Sequence, residues 1–339
     1  MKNPVCVVIP NWDGADMIAP TIESLKNQTL LCDIIVVDNG SKDESLAILR
    51  PMAAHNEIIL IEHPKNLGYT GGINAGFRYA LDHGYEAVAA FNNDAIADKN
   101  WLKYLYESLM ADAKVSTVTC KILSADGKTM DSTGDWLTIW GLPYPRGRGE
   151  PTSNIYDHDT RILGASGGAT LFRCAMLREV GLYDQDFFAY YEDIDLSLRT
   201  RLAGWEIKLE PRAFVLHATS STGNRVKGFT TLQTMKNLPW VLVKDIPFSL
   251  LLRMYPRFVL AYLMFFGRAI TDGRGLWALR GFLLSLLLTP KKIVQRWHIQ
   301  RTRKISPAEL NTLLTHDLPP NATKLRALRA KWWSIRGKK

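Results

Sequence analysis

Four cysteines in 339 residues are too few and too scattered to shape this chain. Cys6, Cys32, Cys120 and Cys174 form no C-x-x-C pair, which excludes a zinc-finger site and a disulfide framework and predicts reduced thiols. Met1-Lys2-Asn3-Pro4 runs straight into a short apolar run with no long apolar core of a signal peptide, so the expectation is a chain that starts in the cytoplasm. No uncharged apolar run approaches the ~20 residues needed to span a bilayer. Acidic residues are scarce in one region only. Residues 224–339 hold 4 Asp+Glu against 22 Lys+Arg, net +18, whereas residues 1–223 hold 29 against 20, net −9. Halves of opposite sign imply two jobs.

The first half reads as alternating strands and helices. Val5-Cys6-Val7-Val8-Ile9 is continuously apolar and β-branched, the pattern of a strand buried on both faces. A helix is expected over 21–27, with Ile22 and Leu25 inward, then a second strand at Ile34-Ile35-Val36-Val37. Ser41 is placed to cap a helix through Leu49. A third strand at 58–61, a helix over 74–83 and a fourth strand at Ala87–Phe91 complete a parallel α/β pattern.

In open α/β sheets the ligand sits beyond the carboxyl ends of the strands. Here those ends carry Pro10-Asn11, Asp38-Asn39 and Asn92-Asn93-Asp94. Each is also an ordinary turn residue, but three successive strands ending in amides and carboxylates on one edge point to a polar ligand. A glycine-rich segment, Asn66 to Gly76, enters a helix beside them, where backbone N–H groups can approach an anion. It matches neither a P-loop nor a dinucleotide fingerprint.

These residues together resemble glycosyltransferase family 2, inverting enzymes of GT-A fold. The resemblance rests on Val36-Val37-Asp38-Asn39-Gly40-Ser41 with Asp43, on Asn66-x-Gly68 followed by Gly72-x-Asn74-x-Gly76, on Asn92-Asn93-Asp94, and on Tyr190-Tyr191-Glu192-Asp193-x-Asp195. It spans about residues 4–222 and is nearest to rhamnosyltransferase-like members acting on polyprenyl-diphosphate-linked glycans. It implies a nucleotide-diphosphate sugar donor held by Pro10, Asn11, Asp38, Asn39, Gly68, Gly72, Asn74, Asn92, Asn93 and Asp94. It also implies Mg²⁺ or Mn²⁺ at Asp94, the last residue of a D-x-D element, with His217 as a further ligand after the last core strand. Asn92 stands where the element has its first Asp, which leaves it two roles: a weaker metal ligand, or a hydrogen bond to the ribose.

Inversion by direct displacement needs a base near the sugar's far face. The resemblance implies Asp193 for that role, with Glu192 and Gly167 on the acceptor side. Arg199 is expected to pair with a carboxylate. The stretch from Trp136 to Gly149 reads as a mobile loop, in which Trp140 either stacks on a sugar or is a buried aromatic.

The expected organisation is a GT-A catalytic domain over 1–223, with a mostly parallel Rossmann-like sheet. An amphipathic helical membrane-association region follows over 224–305, then a basic tail over 306–339. Pro239, Pro247, Pro256 and Pro290 should break the second region into short helices. Arg253, Arg257, Arg268, Arg274 and Arg280, with Trp240, Trp277 and Trp297, should hold those helices on an anionic membrane surface. A helical subdomain packed on the core is the competing reading. The functional expectation is rhamnosyl transfer from dTDP-rhamnose to a lipid-linked glycan on the inner face of the cell membrane, in cell-envelope polysaccharide synthesis. UDP-galactofuranose, UDP-hexose and UDP-N-acetylhexosamine are the alternative donors. Nucleic acid is not expected as a partner, because no reading motif accompanies the basic tail. A nucleotide-sugar-binding regulator would need no acceptor base.

Overall fold

In the computed structural model, the first strand, β1 (Val5–Asn11), lies in the middle of a sheet and is buried on both sides. Val5, Val7 and Ile9 face α1 (Ala15–Lys26) and α4 (Trp101–Met110), whereas Cys6 and Val8 face α3 (Gly68–Asp82) and α5 (Cys174–Val180). This two-sided burial explains why the run reads as continuously apolar. The structure describes residues 3–218 and 226–318, with 322–323, 326–327 and 329–331 beyond them. Thr219-Ser220, the boundary expected at 223 and the basic run from 332 lie outside the described residues.

The described residues form a mixed sheet. Strands β2 (Asp33–Asp38), β3 (Ile59–Glu62) and β4 (Ala87–Phe91) run parallel with β1 in the spatial order β3-β2-β1-β4. The sheet continues through β10 (Ala169–Arg173), antiparallel to both β4 and β6 (Val115–Ser124). It ends with β11 (Glu206–His217), parallel to β6, and β5 (Ala95–Ala97), antiparallel to β11. Strand order reverses between β1 and β4, so a crevice opens beyond their carboxyl ends.

Three helices begin away from their expected starts, α3 at Gly68 rather than at 74. Helix α1 starts at Ala15, because Ile18, Thr21, Ile22 and Leu25 make one buried stripe that carries Pro20 with it. Helix α2 (Ser45–Ala54) is not capped by Ser41, whose hydroxyl instead accepts from the Asp13 N–H at 2.9 Å. The glycine-rich segment is no loop either: Gly71, Gly72 and Gly76 lie inside α3. A Cβ at Gly76 would overlap the Val8 methyls, so these glycines let α3 sit directly on β1.

The stretch expected as a mobile loop is a hairpin of β8 (Asp135–Leu137) and β9 (Pro143–Pro145). Trp136 packs edge-on to Tyr144 with centroids 5.4 Å apart, and the fully buried Arg146 lies over Tyr156 at 4.8 Å. A short strand, β7 (Met130–Ser132), pairs with β6 just before it.

After α6 (Glu192–Leu202) and β11 comes a helical layer. It comprises α7 (Phe229–Asp245), α8 (Phe248–Thr271), α9 (Gly275–Thr302) and α10 (Pro307–Thr312). The expected short helices are instead long ones. Pro239, Pro256 and Pro290 lie inside α7, α8 and α9, and only Pro247 marks a start. Packing keeps the helices running: Leu238, Val241, Leu250, Met254, Phe258 and Tyr262 share one cluster with Phe187, Ile194 and Leu198 of the core. Trp240 and Lys292 are fully buried, not surface groups. Trp277 lies where a Cβ on Gly228 would meet its ring. Arg296 donates to the carbonyls of Val243 and Ile246. Among the described residues α8 alone is long and apolar enough to cross a membrane. Leu263 of α8 and Leu276, Leu287, Val294 and Trp297 of α9 are exposed, at 62 to 84%.

Candidate active site

The ends of β1 and β4 are stitched together by short amides. Asn93 donates from Nδ2 to Asn11 Oδ1 at 2.9 Å, and Asn11 donates from its own Nδ2 to Asp38 Oδ1 at 3.2 Å. Asp38 Oδ2 accepts from the N–H groups of Gly40 and Ser41. Asn39 donates to the Gly68 carbonyl at 2.8 Å, which ties β2 to the start of α3. Beyond this network opens a cavity of about 780 Å³.

Pro10, Asn11, Asn39, Gly68, Asn92, Asn93 and Asp94 line one side of it, with Gly167, Glu192, Asp193 and His217 also on its wall. Four expected site residues are not on it. Asp38 lies beneath, holding Asn11 and its own turn. Gly72 is inside α3, close against Pro10 and Asn39. Asn74 clamps the backbone of Tyr183 through both N–H and C=O, at 3.0 and 2.7 Å. Trp140 is partly buried and packs against the cluster of Leu137, Leu142 and the helical layer.

At the β4/β11 edge, Asp94 Oδ1 lies 3.0 Å from His217 Nε2. That separation is about the edge of an octahedron with bonds near 2.1 Å, so the pair fits two adjacent positions on Mg²⁺ or Mn²⁺. His217 Nδ1 lies 3.1 Å from Asp131 Oδ2, so a protonated imidazole donates to Asp131 through one nitrogen and to Asp94 through the other, and an ion would take the place of the Nε2 proton. Asn92 Nδ2 approaches the same Nε2 at 3.2 Å. No group of three His, Cys, Asp or Glu side chains suited to a metal occurs among the described residues. The remaining positions on an ion would fall to ligand oxygens and water. Burial opposes charging His217, yet its bonds to Asp131 and Asp94 push its pKa up to about 9.

A second group of acids stands at the start of α6. Asp193 Oδ1 accepts from the Ile194 N–H at 2.8 Å and Oδ2 from the Gly167 N–H at 3.4 Å. Burial raises its pKa, and those two N–H groups restrain the rise. Glu192 is buried with one carboxyl oxygen lacking a hydrogen-bond partner. Burial and then the Asp193 charge drive it well up, and the same two causes act on buried Asp135. Burial thus pushes all three carboxyls up, and among them only Asp193 has two backbone N–H groups that favour its charged form. The segment leading to this point is strained: Phe188, Tyr190 and Tyr191 have φ of 65, 68 and 72°. Such left-handed residues cost about 1–3 kcal/mol each.

Asp131, Arg148, Tyr69, Trp12, Phe188, Tyr190 and Phe229 also line the cavity and were not anticipated. Arg148 pairs with Asp131 at 3.0 Å, and Tyr69 donates to the Gly167 carbonyl at 2.6 Å. Of these, Tyr190 sits inside a quoted motif and Tyr69 inside the glycine-rich segment. Asp131 and Arg148 arrive through β7 and the hairpin, whose pairing no local pattern announces.

A mixed sheet whose order reverses at β1/β4, an Asp/His pair at one strand edge and an acid at the start of α6 on the same cavity define a GT-A transferase architecture. Residues 6–181 match the family described as glycosyl transferase family 2, and the chain belongs to that family and so to the glycosyltransferase enzymes. It is 27% identical over 207 residues to the low-salt glycan biosynthesis hexosyltransferase of Haloferax volcanii, covering 59% of this chain and 62% of that protein. It is 26% identical over 185 residues to a poly-beta-1,6-N-acetyl-D-glucosamine synthase of Staphylococcus aureus, covering 53% of this chain and 41% of that one. The chain thus spans less than two thirds of either relative. A mannosyltransferase from Pyrobaculum calidifontis, solved with GDP-Man and Mn²⁺, shares the fold at TM-score 0.54 and 16% identity, over 88% of this chain and 85% of that one.

Proposed function

We propose that this chain transfers a sugar, with inversion, from a nucleotide-diphosphate donor to a hydroxyl of a polyprenyl-diphosphate-linked glycan at the inner face of the cell membrane. One observation carries the reading: the Asp94/His217 pair and Asp193, from distant parts of the chain, line a single cavity. The donor's nucleotide end is assigned to Pro10, Asn11 and Asn39, and its diphosphate to the side of Asn92 and Asp94. A Mg²⁺ or Mn²⁺ ion held by Asp94 and His217 would draw off the charge that develops on the departing diphosphate. Ionised Asp193 takes the proton of the attacking hydroxyl. Glu192, beside the base on the cavity wall and with one carboxyl oxygen lacking a partner, is assigned to hold the acceptor.

We put dTDP-rhamnose first among donors, on the family resemblance. UDP-hexose, UDP-N-acetylhexosamine and UDP-galactofuranose are our alternative donors, and likeness to a hexosyltransferase and to a poly-N-acetylglucosamine synthase supports keeping the first two. The membrane reading rests on the apolar face of α8 and α9, bordered by Arg253, Arg257, Arg268, Arg274 and Arg280. Because one side of α8 is buried by Leu250, Met254, Phe258 and Ala261, the helix is proposed to lie along the surface rather than span it.

The test offers labelled nucleotide sugars and a lipid extract to the full chain with Mg²⁺ or Mn²⁺. Asp193→Asn should lower transfer by about 10²–10⁴-fold, the usual contribution of a general base, with donor binding intact. Undiminished transfer in that variant would strip Asp193 of its role, and no turnover by the wild type with any donor would overturn the reading as a whole.

A further inference from the structure

We propose that Asn237, in the helical layer, is a positioning residue for the acceptor side of the cavity. The proposal rests on the transfer reading above and deepens it. Asn237 is fully buried on α7. Its side-chain amide donates to three backbone carbonyls of the segment before α6: Phe187 at 2.9 Å, Ala189 at 2.9 Å and Tyr190 at 2.8 Å. The amide orientation is not arbitrary, because turning Oδ1 toward three carbonyls would set four acceptors against one another. Its neighbour Lys236 adds bonds from Nζ to the carbonyls of Asp186 and Phe187.

The segment these two residues hold has little reason to keep its shape alone. Phe188, Tyr190 and Tyr191 are left-handed without being glycine, so three residues within four would relax toward ordinary backbone once released. On its other side it is tied to the start of α3, where Thr70 N–H donates to the Phe188 carbonyl at 3.2 Å. Left-handed φ at Gly68 makes that approach possible, since a Cβ there would strike the Phe188 carbonyl. The segment is thus clamped between α3, which borders the donor side, and α7. What it displays is functional: Phe188 and Tyr190 on the cavity wall, then Glu192 and Asp193 at the next helix start. Phe229, at the head of the same α7, packs on Phe188 and Tyr190 with centroids 6.1 and 6.0 Å away and lines the cavity too. The helical layer therefore builds the acceptor side of the site, whereas the donor side is made by the strand ends of the sheet.

That division gives a readout which loss of stability alone would not produce. Transfer kinetics and donor binding are compared in the full chain for Asn237→Ala, Asn237→Ser and Asn237→Asp, well below each variant's thermal transition. Asp matches Asn in volume but loses the amide donors, and Ser keeps one donor. The expected result is a fall in kcat of tenfold or more for Ala and Asp, a smaller fall for Ser, and a donor Kd within twofold of wild type. Backbone amides of 188–191 should exchange hydrogen faster in the variants while β1 and β4 stay protected. Should Asn237→Ala fail to fold, the Ser and Asp variants and their exchange carry the test. Near-wild-type kcat in the Asp variant would show that only packing matters there and would overturn the proposal. So would parallel losses of kcat and donor affinity, or unchanged exchange at 188–191. A wild-type chain with no transfer activity overturns the transfer reading and this proposal with it, an outcome distinct from an active Asp variant.

Discussion

Replacing Lys292 with methionine tests how the helical layer is held to the catalytic core. Lys292 on α9 is fully buried, with Nζ 2.7 Å from Asp184 Oδ2 and 2.7 Å from Asp186 Oδ2, and 4.8 Å from the Trp240 ring centroid. Methionine keeps most of the volume and removes the charge. Stripping one partner from a buried ion pair costs about 3–5 kcal/mol. Here Lys244 still reaches Asp184 at 2.9 Å and Lys291 still reaches Asp186 at 2.7 Å, so neither carboxylate is orphaned. The loss should fall toward or below the low end of that range, at about 2–3 kcal/mol, and lower Tm by about 3–4 °C for a chain of this size. The pH dependence has a definite sign. Burial would raise the Asp184 carboxyl, but Lys244 and Lys292 hold it well below the usual value. A depressed carboxyl adds stability above its unfolded pKa of about 3.9 and loses it as pH falls through the folded value. In Lys292→Met the folded value rises toward the ordinary one, so acid unfolding should begin at higher pH than in the wild type. Urea unfolding followed by circular dichroism at pH 7.5, repeated down to pH 3, measures both effects. A variant within 0.5 kcal/mol of wild type with the same acid midpoint would refute the reasoning.

Metal affinity should depend on pH through His217. Its pKa near 9 means that an ion must displace a proton from Nε2 below that pH, so Mn²⁺ affinity should rise by up to about tenfold per pH unit toward pH 9. Calorimetric titration checks this, and a flat profile would remove His217 from the ligand pair. Gly76→Val should force α3 off β1 and cost about 1–3 kcal/mol or more in urea unfolding, with weaker donor binding because Gly68 and Asn39 move with the helix. Full stability in that variant would show that the helix does not rest on β1 as closely as drawn. Leu263→Glu combined with Leu287→Glu should weaken sedimentation with anionic liposomes by tenfold or more, since each leucine buried in lipid contributes about 1.5–3 kcal/mol. Equal sedimentation would remove the apolar face as the membrane contact, and resistance of the wild type to alkaline carbonate would favour a span over surface binding.

The site was legible where local chemistry and strand ends coincide. Asn11 and Asn92 to Asp94 follow unbroken apolar runs, so their position at the crevice is read directly from periodicity and sheet geometry. Glu192 and Asp193 stand out as acids clustered at a helix start, and the family resemblance assigned them a side of the cavity. Asn74 and Gly72 carry the same motif pattern, yet the structure uses them to pack α3 and hold Tyr183. A sequence motif records which residues recur together, not which of them face the ligand. Asp131 and Arg148 were hidden for the opposite reason. Their placement depends on pairing of β7 with β6 and on a hairpin closed by Trp136 and Tyr144, contacts that no window of local sequence contains. Prolines misled in the helical layer because a helix tolerates a lost N–H when its apolar face is tightly packed, and Pro239, Pro256 and Pro290 all lie in such helices.

The opposite charges of the two halves take on a different meaning once the buried groups are placed. Lys236, Lys244 and Lys292 contribute to the +18 of the second half but point inward. Lys244 bridges Asp184 and Asp195, and Asp195 also holds Arg199 at 2.8 Å. Part of the acidity of the first half and part of the basicity of the second therefore neutralise each other across one interior boundary. That boundary lies directly behind Phe187 and the strained residues that lead to Asp193, because Lys244 and Lys292 both sit over the Phe187 ring. Arg296 of α9 also turns inward, to the carbonyls of Val243 and Ile246, whereas Arg253, Arg257, Arg268, Arg274 and Arg280 are exposed. The charge pattern that first suggested two separate jobs is, in the folded chain, also the means by which the second region is held behind one wall of the cavity.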